Sequence, residues 1–229
     1  MPTPTTPGKI FLADQRGRTE TPDFRRFATF SFGDFQHEHK QPLGQLLAVN
    51  EEWLASSYTL ELPVPEAVHI VLLPITGTVE ALFNAEVLPT AVGQVHVLTL
   101  PAGSTLRLRN PYPSNVINLL HLWLRADEPV LTAESVVFSF EDIANRLTPL
   151  LPTTAGLPFT LSLGRFAGRQ EATHALAAGQ LFFGFVLAGA FEVEGRLLHE
   201  KDGLGLWDAP ASLEIEALSD NALLLVLTQ

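Results

Sequence analysis

The chain contains no cysteine, which excludes disulfide bonds, thiolate nucleophiles and zinc sites of the cysteine type. Basic residues are also few, since 14 Lys and Arg stand against 25 Asp and Glu among 229 residues, a formal net charge of −11. This acidic balance argues against a nucleic-acid partner, because phosphate binding needs a basic surface. Charged residues make up only 17% and hydrophobic residues 46%, which indicates a well-packed globular protein.

Long apolar runs and targeting signals are lacking as well. Pro, Asn, Asp or Glu interrupts each apolar stretch before it reaches the length of a membrane helix. The N-terminal sequence MPTPTTPGKIFLADQ has neither the basic start nor the apolar core of a secretory signal peptide. We therefore expect a cytoplasmic protein without a membrane partner.

Common catalytic motifs are missing too. The chain has no G-x-S-x-G elbow, no P-loop and no H-E-x-x-H, so hydrolase, NTPase and zincin functions lack their defining residues. The adjacent pair Glu51 and Glu52 would point to opposite faces of a strand, and Glu214 with Glu216 fits a solvated strand face. We therefore predict no catalytic residue from the motifs.

The apolar residues follow a β-strand pattern more often than a helical one. Residues 105–109, 191–194 and 213–216 alternate between apolar and polar, as half-buried strands do. Residues 117–124 and 223–227 are largely apolar and suit strands that are covered on both faces. The 16 Gly and 17 Pro are spread along the chain as turns. An all-β fold is predicted.

An internal repeat indicates two related β-domains. Residues 71–80 resemble residues 185–194, because each is an apolar strand, a glycine turn and a strand that carries Glu. A second turn follows in each half, at 101–104 and at 209–212. Each half then closes with a polar turn and an apolar strand. Two double-sheet jelly rolls in tandem fit this arrangement.

The domain boundaries are predicted from this repeat. The first domain spans residues 1–126, a connector spans 127–155, and the second domain spans 156–229. Ser139 resembles a helix N-cap, with an acidic residue three positions later, so we expect one short helix in the connector.

Several motifs near the N-terminus occur together. Residues 27–35 read FATFSFGDF and follow RGRT at 16–19; the loop QHEH at 36–39 comes next, and then the strand LGQLLAVNE at 43–51. Together they resemble the opening of the pirin family of bicupins, and the second half resembles the C-terminal cupin of that family. The resemblance implies two cupin barrels, with iron or another divalent metal in the N-terminal barrel. Some members of that family cleave quercetin with dioxygen, and others are transcriptional co-regulators.

The family's metal ligands, three histidines and a glutamate on two strands, have no counterpart in this chain. Counted from the turn at Gly77, the first two positions are Pro63 and Pro65. Counted from the turn at 101–103, the later two are Leu108 and Asn110. The alternative registers reach Leu62, Val64 or Glu66 on the first strand and Leu106 with Leu108 on the second. Neither register supplies a histidine, so we predict no metal site and no cofactor.

Other histidines give an alternative ligand set. His37 and His39 have the i, i+2 spacing that places two imidazoles on one side of an extended segment, and His69 lies on the strand after the two prolines. His96 and His121 lie in apolar strands and lack a paired histidine or carboxylate at ligand spacing. Iron or another divalent metal would use His37, His39 and His69 under this alternative.

Two functions follow as hypotheses. The first is a metal-free pirin-like bicupin that binds a small hydrophobic ligand or a protein partner as a regulatory module, as a monomer or weak dimer. The alternative is a quercetin 2,3-dioxygenase-type oxidoreductase with the non-standard histidine ligands.

Overall fold

The computed structural model describes residues 6–83, 86–127, 132–151 and 156–229, which divide into two compact units. The N-terminal unit is Arg16–Val137, and the C-terminal unit combines Met1–Gln15 with Phe138–Gln229. Within the described ranges the regular structure consists of β-strands and one short 3-10 turn, Ala13–Gln15. The predicted all-β fold is therefore confirmed. The same ranges hold no helix long and apolar enough to cross a membrane.

The strands of the described residues are numbered in chain order. They are β1 (Gly8–Phe11), β2 (Gly17–Glu20), β3 (Phe24–Ala28), β4 (Leu46–Leu54), β5 (Thr59–Pro63), β6 (Val68–Thr76), β7 (Val79–Phe83), β8 (Glu86–Thr90), β9 (Gln94–Leu100), β10 (Thr105–Arg109), β11 (Ile117–Arg125), β12 (Thr132–Val137), β13 (Thr148–Pro149), β14 (Thr160–Phe166), β15 (Glu171–Ala175), β16 (Phe182–Ala188), β17 (Phe191–Val193), β18 (Arg196–Leu198), β19 (Gly203–Leu206), β20 (Ser212–Ala217) and β21 (Ala222–Thr228).

The N-terminal unit consists of two antiparallel sheets. The large sheet has the strand order β12-β9-β6-β11-β4-β3-β2, and the small sheet has the order β5-β10-β7-β8. One hydrophobic cluster joins them, with Ile70 and Leu98 from the large sheet and Leu62 and Leu108 from the small sheet. The alternating pattern predicted for 105–109 is confirmed, because Leu106 and Leu108 are buried between exposed or half-buried neighbours.

The C-terminal unit repeats this arrangement. Its sheets have the orders β1-β19-β16-β21-β14-β13 and β15-β20-β17-β18. The run β19-β16-β21-β14 corresponds to β9-β6-β11-β4 of the N-terminal unit, and β15-β20-β17-β18 corresponds to β5-β10-β7-β8. A second hydrophobic cluster, which includes Phe166, Phe191 and Leu213, fills the space between these sheets. The internal repeat read from the sequence is thus confirmed as two cupin-type domains.

Two equivalent turns show why the repeat requires glycine. Gly77 joins β6 to β7 with φ of +74°, and Gly189 joins β16 to β17 with φ of +77°. A Cβ at Gly77 would lie 2.6 Å from Ile117, and one at Gly189 would lie 2.3 Å from the hydroxyl of Ser219. Both the backbone conformation and the packing exclude a side chain at these turns.

The units divide the chain differently from the predicted boundaries. β1, within the predicted first domain, pairs with β19 of the C-terminal unit. β12 and β13, within the predicted connector, pair with β9 of the N-terminal unit and β14 of the C-terminal unit respectively. These short strands close sheet edges, and edge pairing depends on segments that are distant in sequence.

The helix predicted after Ser139 does not form; that prediction is wrong. The Ser139 hydroxyl accepts hydrogen bonds from the backbone N–H groups of Glu141 and Asp142, as a cap does. Only one turn follows, because Asn145 has φ of +52° and its N–H donates to the carbonyl of Arg165 at 2.7 Å. Pairing with β14 thus takes the backbone groups that a helix would have used.

The placement of β1 in the C-terminal unit predicts a specific mutational effect. Phe11 on β1 is 2% exposed, whereas its neighbour Ile10 is 36% exposed. We expect Phe11→Ala to lower the free energy of unfolding by about 3–5 kcal/mol, as for other buried phenylalanines, and to reduce amide hydrogen-exchange protection in β19. Ile10→Ala is the matched control and should cost much less. Equal effects of the two variants would contradict this account of β1.

Candidate functional site

The predicted metal positions lie at the ends of β5 and β10. Pro63 ends β5 and Pro65 follows it, and both prolines are exposed. Leu108 lies on β10 and Asn110 directly after it, and neither side chain is exposed to solvent. The four positions therefore do not face one common point.

Aliphatic residues occupy the interior-facing positions of these two strands. The register pairs Leu60 with Leu108 and Leu62 with Leu106, and directly paired residues of an antiparallel ladder share a face. These four leucines and Val64 are at most 5% exposed and belong to the hydrophobic cluster of the N-terminal unit. The side chains that face the interior are thus one residue away in sequence from the two prolines. None of them has an atom that can coordinate a metal ion.

Asn110 has a structural role at the end of β10. Its Nδ2 group lies 3.0, 2.9 and 2.7 Å from the backbone carbonyl oxygens of Leu54, Ala55 and Asn115, to which it donates. Its Oδ1 accepts the backbone N–H of Tyr112 at 3.0 Å. Both ends of the amide therefore hold the loop between β10 and β11 against the end of β4.

The three alternative histidine ligands are not grouped as a metal site. His37 and His39 are exposed, and the backbone N–H of His39 donates to Nδ1 of His37 at 3.1 Å. His69 lies on β6 next to Ile70 and points to the opposite face, where its Nδ1 is 2.8 Å from the hydroxyl of Thr99. Burial lowers the pKa of His69, and Asp127 offsets this only in part. Within the described ranges, no three His, Asp or Glu side chains are grouped to hold a metal ion.

A buried polar network on three neighbouring strands is the most distinctive interior feature of the N-terminal unit. Arg26 on β3, Glu52 on β4 and His121 on β11 all meet at one atom, Glu52 Oε1. Arg26 Nε donates to this oxygen at 2.5 Å, and His121 Nε2 lies 3.0 Å from it. The indole N–H of Trp123 donates to His121 Nδ1 at 2.8 Å. We call these four residues the buried network.

The Trp123 hydrogen bond determines the charge state of His121. An indole N–H only donates, so His121 Nδ1 must be an acceptor and the proton of the ring lies on Nε2, where it is donated to Glu52. Complete burial lowers the pKa of His121, against the opposing effect of the Glu52 carboxylate. His121 is therefore a neutral donor to an ionised carboxylate that Arg26 balances.

The adjacent carboxylates Glu51 and Glu52 point to opposite faces of β4, as predicted. Glu51 Oε2 accepts from Arg16 Nη1 at 3.1 Å on the face away from the buried network. Asn118 Nδ2 donates to Glu51 Oε1 at 3.3 Å. Each glutamate thus has its own arginine, one on either side of the same sheet.

The FATFSFGDF motif covers the buried network. The Phe32 ring lies 5.2 Å from that of Trp123, edge to face, and the Arg26 guanidinium lies 4.9 Å from the Phe32 centroid. Phe35 packs on Gly17, where a Cβ would lie 2.2 Å from the Phe35 ring. The motif therefore has a packing function that its sequence did not disclose.

Sequence reasoning missed the buried network because its partners lie on different strands. His121 has no acidic or histidine neighbour on its own strand, but Glu52 lies on the adjacent strand, 69 residues earlier. The available signal was the pair Glu51 and Glu52, together with Asn50, inside the otherwise apolar β4. Buried polar residues of this kind require partners, although the sequence does not say which.

The C-terminal unit carries an acidic cleft of about 680 Å³ on the outer side of its small sheet. Glu171, Glu216 and Glu192 lie directly opposite one another on β15, β20 and β17. Glu214 is exposed, and Glu216 accepts from Arg169 at 3.1 Å at the surface. The prediction that Glu214 and Glu216 occupy a solvated strand face is confirmed.

Comparison with known proteins identifies the fold and shows which proteins the chain is similar to. A family profile described as "Quercetinase C-terminal cupin domain" matches residues 159–227. The bacterial pirin YhhW of Escherichia coli, solved in complex with nickel(II), superposes with a TM-score of 0.83 at 20% identity, over 96% of this chain and 98% of that chain. The chain has the fold of a pirin-like bicupin.

Two further relatives carry the name quercetin 2,3-dioxygenase. One, from Escherichia coli strain K12, is 22% identical over 222 residues, which cover 93% of this bicupin and 95% of the relative. The other, a crystal structure from Acinetobacter baumannii, has a TM-score of 0.74 at 16% identity and covers 96% of the bicupin and 85% of that chain. The resemblance to pirins stated from the sequence is confirmed.

The structural role of Asn110 predicts the effect of its removal. Asn110→Ala would remove the amide donor from the carbonyl groups of Leu54, Ala55 and Asn115, and each group left both buried and unsatisfied costs about 1–3 kcal/mol. We expect a lower free energy of unfolding in urea. Asn115→Ala, at an exposed side chain of the same loop, is the control. An Asn110→Ala variant as stable as the control would contradict the structural role.

The lowered pKa of His121 predicts a pH dependence of stability. The unfolded chain binds a proton near the ordinary pKa of 6.5, whereas the folded network resists it, so the free energy of unfolding falls as the pH decreases below that value. His121→Gln removes one such group and should make the decline between pH 7.5 and 5 shallower, by at most about 1.4 kcal/mol per pH unit. Asn115→Gln, an exposed substitution without a titratable group, should leave the slope unchanged. Urea titrations at each pH test this, and parallel slopes for His121→Gln and the parent would contradict it.

Proposed function

We propose that this bicupin is a non-enzymatic ligand-binding or regulatory protein without a metal in its N-terminal unit. The observation that carries the proposal is the set of inward-facing leucines on β5 and β10. Iron and nickel centres use imidazole nitrogen and carboxylate oxygen, and an aliphatic side chain has neither. Pro63 and Pro65 also have no donor atom, and the amide of Asn110 is already used by the backbone. The residues present therefore do not fit the family's metal.

The packing also bears on the ligand. The inward-facing leucines of β5 and β10 belong to the hydrophobic cluster. Their side chains fill the space at the predicted metal position, so an apolar molecule has no cavity there. A small ligand of the N-terminal unit would therefore have to use another part of its interior. A protein partner at the surface, a monomeric or weakly dimeric state and a cytoplasmic location stay predictions. The net charge of −11 continues to argue against nucleic acid.

A quercetinase-type dioxygenase is the second candidate, and the names of the relatives favour it. It would need iron or another divalent metal bound by His37, His39 and His69. The first two are exposed in one loop, and His69 lies on a strand face with Thr99 as its partner. This ligand set would therefore need a rearrangement of the loop, which the first candidate does not.

Metal analysis tests the two candidates. The untagged protein is purified after growth with iron, manganese, nickel, copper and zinc, and its metal content is measured by mass spectrometry. We expect far less than one metal ion per chain and no turnover of quercetin, with the Escherichia coli quercetin 2,3-dioxygenase as the positive control. The reason is the absence of donor atoms on the inward faces of β5 and β10.

The contrary outcome is equally definite. One tightly bound metal ion per chain, together with quercetin turnover that a chelator abolishes, would overturn the proposal. In that case the variants His37→Ala, His39→Ala and His69→Ala would show whether the alternative ligand set holds the metal, because each should lower the metal content if it does.

A further inference from the structure

Asn50 on β4 is a fully buried amide without a protein partner. Its side chain has no exposure to solvent, and neither Nδ2 nor Oδ1 has a hydrogen-bond partner within the described ranges. A buried amide that loses its bonds to water and gains none is unfavourable, and such groups in native proteins usually bind an ordered water or a ligand. Asn50 therefore indicates that a bound molecule, here called the guest, supplies the hydrogen bonds that the protein chain does not.

The neighbours of Asn50 on the same face of the sheet are small on two sides. The register places His121 directly opposite on β11 and Ala28 directly opposite on β3. Along β4 itself, Ala48 lies two residues before Asn50 and Glu52 two residues after it, on the same face. Two of these four neighbouring positions therefore carry only a methyl group, and the larger side chains beside the amide are His121 and Glu52.

Two further unsatisfied atoms belong to the buried network. Glu52 Oε1 accepts hydrogen bonds from both Arg26 and His121, whereas Glu52 Oε2 has no hydrogen-bond partner in the described part of the chain. Arg26 Nη2 likewise has none. Together with Asn50, these atoms supply two donor groups and two acceptor oxygens on adjacent strands.

The charges of these groups determine which kind of guest molecule the site can bind. Arg26 and Glu52 neutralise each other at Oε1, and His121 is neutral, so the site has no net charge to offer an ion. Both ring nitrogens of His121 are engaged, which leaves no imidazole for a metal. A neutral molecule that donates and accepts hydrogen bonds matches what remains.

We propose that Asn50, Glu52 and Arg26 form a polar pocket for a small uncharged molecule that carries a donor next to an acceptor, the chemistry shared by water and a small primary amide. The proposal deepens the ligand-binding function and rests on it, because it moves the ligand from the metal position on the small sheet to the polar face of the large sheet.

The structure also indicates where a guest would enter. Arg26 is the most exposed member of the site, at 8%, and it lies beneath Phe32 and Gly33. A Cβ at Gly33 would lie 3.7 Å from Arg26 Nη1, which is ordinary van der Waals contact, so this turn lies directly against the guanidinium. The turn formed by Phe32 and Gly33 is thus the cover of the site.

Direct observation of the guest is the first test. A high-resolution crystal structure should show density bonded to Asn50 and Glu52 Oε2. Titration with acetamide, followed through the indole N–H signal of Trp123, distinguishes the two sources. The signal is assigned with the variants Trp53→Phe and Trp207→Phe, since the chain has three tryptophans. A saturable shift assigns the site to an amide, and bridging density with no shift assigns it to water.

A variant provides a second, independent test. Asn50→Leu keeps the size of the side chain but removes both polar atoms. With a guest present, it should increase the equilibrium constant for unfolding by about tenfold or more, because Glu52 and Arg26 also lose their partner. Asn115→Leu, at an exposed position, is the matched control. If no guest molecule is bound at the site, Asn50→Leu would be as stable as the parent protein or more stable, which would contradict the proposal.

The outcomes separate this inference from the proposed function. An empty site in the crystal with a stable Asn50→Leu variant would overturn the pocket, and so would saturable binding of acetate in place of acetamide. Neither result concerns metal content. A stoichiometric metal ion with quercetin turnover in the same preparation would overturn the proposed function, whatever lies beside Asn50.

Discussion

The carboxylate of Glu52 must be balanced inside the N-terminal unit, because its side chain has no access to solvent. Arg26 and His121 meet it at one oxygen from the two neighbouring strands, and Trp123 fixes the orientation of the histidine. Removing one partner of a buried ion pair typically costs about 3–5 kcal/mol, since the other charge stays buried. The register of β3, β4 and β11 and the position of the Phe32 cover all depend on this balance.

The two units show how one strand order can hold different interiors. The C-terminal unit fills the space between its sheets with apolar side chains, among them Phe166, Phe182 and Phe191. The N-terminal unit also has an apolar cluster between its sheets, but its large sheet carries the buried network among those apolar residues. This network and the neighbouring Asn50 together contain four unsatisfied hydrogen-bonding atoms, and for this reason they are the better candidate for ligand chemistry.

The relation to pirins concerns the fold more directly than the chemistry. A chain can keep both cupin domains while the residues at a metal position change, because the strand pairing depends on the apolar pattern and the turns. Leu106 and Leu108 contribute to the core of the N-terminal unit at positions where a ligand would have cost packing. The function of this bicupin therefore has to be inferred from the side chains of this chain and not from the fold that it has in common with pirins.

Local patterns in the sequence determined the β-strands, the internal repeat, the opposite directions of Glu51 and Glu52 and the lack of ligands at Pro63 and Pro65. Each of these follows from a period of two or from the chemistry of single residues. Tertiary structure alone decided the partners. It brought Glu52 to Arg26 and His121, 26 and 69 residues away, placed β1 beside β19, and replaced the helix after Ser139 by pairing with β14. Strand register is a property of two distant segments together, and a single segment does not contain it.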